Sequence, residues 1–477
     1  MAGDIKKLGK ETIIYGISTI LARFLNFILL PLYTYYLLPD EYGVVATVFS
    51  IIAFFNVIYG LGLNQGYMRY FKEKNSLSMT VTSIFFSSFI LSFILIILSK
   101  PISSVFQMST YSSFIIYAAV ILYFDSLSII PLTDLRMKHR SLTFVFIKIF
   151  SIVLNVILNV VFLKYLKMGG EGIFIANIIS SFSQIFFLWK YFKYINLKFD
   201  MPVFKEMLSY SLPYIPSSMS SVIVQLVDRP IMMMLISSYY VGIYQANFRL
   251  SIFINLIISM FDFAWRPFVM EKMDAPDSKQ TFSKVFEYFN FIVLLSWLFL
   301  SLFIEDIIKI SIHNVYLISP NYWSGIGIVP IVMLGYIFNG LYINFMIGAM
   351  ITKKTYYTMY ANIISAILSI SLNFLLIPRL GIYGSALSVL ISYFFLAVFM
   401  YFVNQKIYPV KYNLKKFSSL FIFTMIAYGV VKLPFIMNLC NYIQIKMFVF
   451  IMYFLIVMAA GYFSKEEISS IKKIIRM

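Results

Sequence analysis

The 477-residue sequence contains one cysteine, Cys440, and two histidines, His139 and His313. A single cysteine excludes a disulfide bond within the chain and a thiolate metal cluster, and the histidines lie far apart in sequence. No HExxH, GxxxxGK[ST] or GxSxG pattern occurs, so motifs of zinc proteases, P-loop ATPases and serine hydrolases are missing. We therefore predict a protein that is not an enzyme, with no catalytic residue, no metal site and no cofactor.

Charged residues are also scarce. They make up 12% of the chain against 61% hydrophobic residues, and the mean hydropathy is +0.87. Soluble domains usually contain about 25% charged residues, so the composition indicates an all-α integral membrane protein whose apolar windows of about 20 residues each span a bilayer. We predict about fourteen transmembrane helices, at 11–38, 43–63, 80–99, 110–131, 141–163, 172–192, 208–236, 240–263, 284–304, 325–350, 356–377, 381–403, 417–434 and 444–463.

Acidic residues number 20 against 38 lysines and arginines, which gives a net charge of +18. With the N-terminus in the cytoplasm, 27 of the basic residues fall in inside segments and 7 in outside loops. This asymmetry follows the positive-inside rule. The distribution of charge therefore indicates topology and not a nucleic-acid partner. We predict a multi-pass protein of a bacterial cytoplasmic membrane that is surrounded by membrane lipids and has both termini in the cytoplasm.

Two halves of the chain resemble each other. The stretch 40–51 after helix 1 matches 239–252 after helix 7, and 166–180 matches 378–392, with Gly169 on Gly381 and Gly172 on Gly384. An even number of helices separates the matches, so the repeats are parallel and describe a transporter with a cavity between two six-helix lobes. We assign an N-lobe to 1–192, a cytoplasmic linker to 193–207, a C-lobe to 208–403, and two extra helices with a cytoplasmic tail to 404–477.

Ionisable residues inside the predicted helices are the best indicators of function. The run "SSVIVQLVDRPIMMMLIS" at 220–237 contains Asp228 and Arg229, and Arg23 and Arg249 lie in helices 1 and 8. Such residues usually face a bundle interior or an aqueous cavity. Three arginines against one nearby acid predict a cationic site suited to phosphate. Asp228 balances this charge or pairs with Arg249 or Arg23 across helices, and it need not pair with its neighbour Arg229.

Several other polar residues accompany these arginines. Asn26, Gln225 and Asn247 are candidate contacts for sugar hydroxyls, although interhelical hydrogen bonds explain each of them equally well. Asp125 in helix 4 is a candidate for charge balance or for binding a coupling ion, and Lys148 in helix 5 can snorkel towards the membrane surface.

The chain resembles the polysaccharide repeat-unit flippases (O-antigen and capsule type) of the multidrug/oligosaccharidyl-lipid/polysaccharide (MOP) exporter superfamily. The resemblance implies a V-shaped pair of lobes that moves a polyprenyl-pyrophosphate oligosaccharide to the outer leaflet, with the pyrophosphate held by Arg23, Arg229 and Arg249. It also implies a polymerase and a chain-length regulator as partners, and transport driven by a proton gradient, a sodium gradient or the membrane potential. The stretches that carry it are "YGISTILARFLNFILLPLYTYYLLPDEYGVVA", "YSLPYIPSSMSSVIVQLVDRPIMMMLISSYYVGIYQANFRL" and "NYWSGIGIVPIVMLGYIFNGLYINFMIGAMITKKT".

Other functions fit parts of the same pattern. A multidrug or cation antiporter of the same superfamily fits the fold but requires functional carboxylates, and a flippase for a peptidoglycan or teichoic acid lipid precursor fits both fold and charge. A glycosyltransferase or polymerase would need sizeable aqueous loops. The longest loops, at roughly 193–207, 264–283 and 305–324, are too short for a catalytic domain.

Overall fold

The computed structural model describes residues 24–25, 27–196, 200–312, 315–437, 442–459 and 462. The N-lobe contains α1 (Phe27–Tyr36), α2 (Pro39–Tyr59), α3 (Leu63–Arg69), α4 (Ser76–Ile97), α5 (Ser99–Val105), α6 (Ser112–Met137), α7 (Ser141–Val160) and α8 (Gly169–Leu188). The linker forms α9 (Met201–Ser211).

In the described residues of the C-lobe and of the chain after it, the structure is also helical, with one antiparallel pair of two-residue strands, β1 (Ser311–Ile312) and β2 (Val315–Tyr316), and a 3₁₀ segment (Pro320–Ile328). Its helices are α10 (Tyr214–Leu226), α11 (Asp228–Leu235), α12 (Ser238–Leu250), α13 (Ile252–Lys272), α14 (Ser278–Ile308), α15 (Val329–Phe345), α16 (Ile347–Ile351), α17 (Tyr356–Leu380) and α18 (Ile382–Ile407), followed by α19 (Leu414–Val431), α20 (Pro434–Met437) and α21 (Tyr442–Ala459).

Twelve helical segments of the described chain are long and apolar enough to cross a membrane. The prediction of an all-α membrane fold with two lobes is confirmed. Two predicted spans are not among the twelve. The described part of helix 1 is only the short apolar helix α1, and helix 7 is divided into pieces shorter than 18 residues. The count of fourteen therefore stays a prediction.

The predicted continuous helix at 208–236 is wrong in detail, because α9 ends at Ser211, α10 begins at Tyr214 and α11 begins at Asp228. Pro213 and Pro230 lie close to the two breaks, and proline lacks the backbone N–H that an uninterrupted helix needs. The predicted helix at 240–263 is likewise divided at Ser251, between α12 and α13. The second break of helix 7 places Asp228 in the first turn of a new helix.

The structure repeats the same local features in both lobes. Gly169 and Gly381, which the sequence aligns, have φ angles of +59° and +55° at the start of α8 and α18. The Oγ of Ser151 donates to the Ser180 carbonyl at 2.9 Å between α7 and α8. The Oγ of Ser365 donates to the Ser392 carbonyl at the same distance between α17 and α18. These matching contacts recur at corresponding places in the two lobes.

The lobes meet where α2 and α12 begin, at the end predicted to lie outside. A Cβ added to Gly43 would lie 1.8 Å from the Ser238 carbonyl oxygen, and one added to Gly242 would lie 1.9 Å from the Pro39 carbonyl oxygen. The Ser238 hydroxyl also donates to Asp40 at 2.9 Å across this contact. Since only glycine allows two backbones to approach so closely, these two positions permit the lobes to close here.

The helices after the repeat pack on the C-lobe helix α14. Three lysines pair with acids of α14 at 2.5–2.6 Å. Lys416 of α19 pairs with Glu287, Lys432 at the C-terminal end of α19 pairs with Glu305, and Lys446 of α21 pairs with Asp306. The Lys446 side chain is only 1% exposed. Because buried ionisable groups are costly without a partner, these pairs attach the last helices to the C-lobe.

Candidate functional site

Arg249 lies at the end of α12, where it faces the N-lobe. Its guanidinium carbon lies 5.3 Å from the ring centroid of Tyr33 and 5.8 Å from that of Tyr42. Both rings belong to N-lobe helices, and they attract a cation through their negative faces. The Nη1 atom is buried and has no hydrogen-bond partner among the residues that the structure describes. Arg249 is therefore a half-buried cation that contacts aromatic rings of the N-lobe and pairs with no carboxylate among the described residues.

A cavity of about 340 Å³ opens beside Arg249, and we name it the interlobe cavity. No aspartate or glutamate is among its lining residues in the described part of the chain. It is lined by Phe27, Tyr33, Phe49, Asn155, Asn177, Arg249 and Ile252. An arginine presents a planar set of N–H donors that matches a phosphate or carboxylate. The interlobe cavity thus combines one arginine with the carboxamides of Asn155 and Asn177, groups that can bind an anion.

Arg229 has a different environment from Arg249. Its side chain is 2% exposed, and its Nη1 lies 2.7 Å from Asp228 Oδ1. The same guanidinium donates to the Gln225 carbonyl at 2.6 Å and to Gln245 Oε1 at 3.0 Å, and it covers the Phe248 ring at 4.1 Å. These contacts use most of its donors.

Asp228 is equally occupied. It accepts from the backbone N–H of Arg229 at 2.9 Å and from the Tyr244 hydroxyl at 2.5 Å. The adjacent charges in the apolar run therefore compensate each other, and in this conformation the structure does not place Arg229 on the interlobe cavity as the sequence predicted. Both residues lie in the first turn of α11, and the long Arg229 side chain reaches Asp228 Oδ1 although adjacent side chains leave a helix about 100° apart.

The other predicted site residues fall in separate places. Arg23 and Asn26 lie outside the described residues. Asn247 is 1% exposed and donates to the Ile243 and Tyr322 carbonyls, so it joins α12 to the 3₁₀ segment and does not face a cavity. The Gln225 side chain is exposed and lines neither the interlobe cavity nor the N-lobe cavity described next.

Asp125 lines a second cavity, of about 390 Å³, inside the N-lobe, which we name the polar cavity. Its Oδ1 accepts from the Ser181 hydroxyl at 2.6 Å, and nearby Lys148 donates to Gln184 Oε1 at 2.9 Å. Three of the carboxamides that line this cavity, Asn155, Asn177 and Gln184, were not predicted from the sequence as site residues. A signal was present, because polar residues recur at helical spacing along 148, 151, 155 and 159 and along 177, 180, 181 and 184.

Solved structures of membrane transporters share this architecture. A structure of the lipid II flippase MurJ in an inward closed conformation is 17% identical, with a TM-score of 0.73 that covers 93% of this chain and 98% of that one. An inward-facing multidrug resistance MATE family transporter of the MOP superfamily is 15% identical, with a TM-score of 0.64 over 80% of this chain and 94% of that one. Similarity at this level shows the fold alone.

The sequence profile of the family described as "Polysaccharide biosynthesis protein" matches residues 35–319. Because this match covers more than half of the 477 residues, the chain belongs to that family. No curated protein matches the chain at a significant level. The predicted relationship to polysaccharide flippases of the MOP superfamily is confirmed at the level of family and fold.

Proposed function

We propose that this protein moves polyprenyl-pyrophosphate-linked oligosaccharide repeat units from the inner to the outer leaflet of a bacterial cytoplasmic membrane. The observation that carries the proposal is Arg249, whose Nη1 has no hydrogen-bond partner among the described residues and whose side chain lines a cavity between the lobes of a protein from a polysaccharide biosynthesis family. Delivery to a polymerase and a chain-length regulator is part of the same proposal.

Arg249 would contact the pyrophosphate, because this group is negatively charged whatever sugars the repeat unit contains. The guanidinium can form two parallel hydrogen bonds to phosphate oxygens. It is held by aromatic rings of the opposite lobe instead of by a carboxylate. A carboxylate partner would compete with the substrate, whereas the Tyr33 and Tyr42 rings stabilise the cation and leave its donors available. Arg23 is proposed as a second contact.

The contact between Gly43 and Gly242 favours a cycle in which the lobes part at this end to release the substrate outside. An anion that moves outward through an inside-negative potential gains about 2.3 kcal/mol per charge per 100 mV. The membrane potential can therefore drive export. Coupling to protons or sodium at Asp125 is an additional proposal, which can be tested by measuring export with a proton or sodium gradient and without a membrane potential.

The second candidate is a multidrug or cation antiporter, which the polar cavity with Asp125 favours. A flippase for a peptidoglycan or teichoic acid precursor would use the same anion site. The deciding experiment is to deplete the protein in its own bacterium, analyse lipid-linked oligosaccharides by mass spectrometry and stain surface polysaccharide.

Accumulated polyprenyl-pyrophosphate repeat units with loss of surface polymer would support the proposal, and the sugar composition would separate it from the peptidoglycan and teichoic acid alternatives. Unchanged lipid intermediates with new sensitivity to cationic drugs would support the antiporter. Complementation should fail with Arg249→Ala and recover partly with Arg249→Lys, since lysine keeps the charge but not the planar set of donors.

A further inference from the structure

The polar cavity of the N-lobe has a composition that the fold alone does not require. It lies between α2, α6, α7 and α8 at membrane depth, and eleven of its fifteen lining residues are polar or charged. They are Asn56, Asp125, Thr133, Arg136, Lys148, Ser151, Asn155, Asn177, Ser180, Ser181 and Gln184. Polar groups at this depth must find partners, because lipid supplies none.

Several of these groups have hydrogen-bonding capacity that described residues do not use. Asn56 has no side-chain hydrogen bond to any residue in the described part of the chain. Asn177 donates to the Ile173 carbonyl, and its Oδ1 accepts from no residue that the structure describes. Gln184 accepts from Lys148, and its amide nitrogen likewise has no described partner. The cavity therefore offers donors and acceptors to water or to a polar ligand.

The C-lobe shows that the repeated fold does not need these groups. The repeat aligns Asn177 with Val389 and Gln184 with Leu396, at the offset that also aligns Gly169 with Gly381. Val389 and Leu396 are 1% and 2% exposed and form part of an apolar core. At these two positions the C-lobe therefore packs apolar side chains where the N-lobe has carboxamides on a cavity.

The polar cavity adjoins the anion site. Asn155 and Asn177 line both the polar cavity and the interlobe cavity that contains Arg249. A ligand held at Arg249 by an anionic group can thus place its next chemical group against these two amides. The donors, acceptors and charges that line the polar cavity then determine which chemical group of the ligand can bind there.

We infer that the polar cavity is a carbohydrate subsite, which binds hydroxyl groups of the sugar next to the pyrophosphate; this inference rests on the proposed function. Sugar hydroxyls both donate and accept hydrogen bonds, as carboxamides do. Asp125 is the one acid among the described lining residues, and Lys148 and Arg136 line the same cavity, so the two cationic side chains oppose a bound cation. The volume of about 390 Å³ lies in the range of roughly 300–1,000 Å³ typical of small-molecule sites.

The test replaces cavity amides by the residues that the C-lobe uses. The full-length double variant Asn177→Val/Gln184→Leu is compared with wild type, with Arg249→Ala and with the control Asn362→Leu. Asn362 is a C-lobe carboxamide that donates to the Thr358 carbonyl and lines none of the cavities described above. Native mass spectrometry in nanodiscs measures binding of two probes, undecaprenyl pyrophosphate and the lipid-linked repeat units extracted from the source bacterium, with thermal melting as a check on folding.

We expect the double variant to bind the glycosylated lipid roughly tenfold more weakly and to lose much less affinity for undecaprenyl pyrophosphate, because hydrogen bonds to the sugar are removed while Arg249 remains. Arg249→Ala should weaken both probes and Asn362→Leu neither. Equal affinity of wild type and double variant for the glycosylated lipid would overturn the subsite and leave the proposed function intact. The subsite would also be overturned if the double variant lost sodium-dependent export in proteoliposomes while its affinity for the glycosylated lipid stayed unchanged. Failure of wild type to bind either probe would instead contradict the proposed function.

Discussion

The most informative perturbation removes Arg229 and leaves Asp228, because the sequence and the structure give this arginine different roles. As a cavity residue, Arg229 would bind the pyrophosphate and contribute little to stability. As the structure shows it, Arg229 neutralises a buried carboxylate inside the C-lobe. We expect Arg229→Met to destabilise the protein strongly while the anion site at Arg249 remains.

The magnitude follows from the contacts that are lost. Arg229→Met removes a 2.7 Å ion pair between side chains that are each 2% exposed, and it leaves Asp228 with the Tyr244 hydroxyl as its remaining side-chain partner. Breaking a buried pair from one side costs about 3–5 kcal/mol. The unfolded chain in a membrane also finds some polar partners, so we expect about 3 kcal/mol.

The double variant Asp228→Asn/Arg229→Met is the matched control. It removes both charges, and the introduced amide oxygen would still accept from the Tyr244 hydroxyl, so it should recover much of the lost stability. Thermal unfolding in detergent, followed by size-exclusion chromatography, measures stability, and undecaprenyl pyrophosphate binding reports on the anion site. If Arg229→Met melts like wild type but no longer binds undecaprenyl pyrophosphate, our assignment of Arg229 to a structural pair is refuted.

Three further predictions concern other parts of the molecule. Gly43→Ala should prevent closure of the lobes at the α2–α12 contact and so increase the distance between spin labels on α2 and α12. The control Gly429→Ala should leave this distance unchanged, because a Cβ added there has no neighbour within 4 Å. An unchanged distance in Gly43→Ala would contradict the proposed closure. Lys446→Met should lower the melting temperature more than Lys416→Met, because their side chains are 1% and 25% exposed, and an equal effect would argue against burial as the cause. Asp125→Asn should weaken glycolipid binding severalfold while export in proteoliposomes keeps its response to proton and sodium gradients; an insensitive variant would assign ion coupling to Asp125.

The breaks in helix 7 show where prediction from the sequence stops. Pro213 and Pro230 mark sites at which a backbone hydrogen bond is missing. The two prolines do not specify whether the chain bends or starts a new helix. The backbone carbonyls that lose an N–H donor find other hydrogen-bond partners, and these depend on the neighbouring helices. The new helix at Asp228 depends on Gln245 and Tyr244 of α12, which complete the partners of the Asp228–Arg229 pair.

The sequence by itself determined the membrane class, the two-lobe repeat and the set of ionisable residues within the helices. These follow from hydropathy, from the aligned Gly169 and Gly381, and from the high cost of charges in lipid. Only the tertiary structure decided how each charge is compensated: Arg229 by its neighbour Asp228, and Arg249 by two aromatic rings of the opposite lobe. The physical reason is that a helix fixes which side chains share a face, whereas a buried charge is satisfied by whatever the packed neighbours bring within about 4–6 Å.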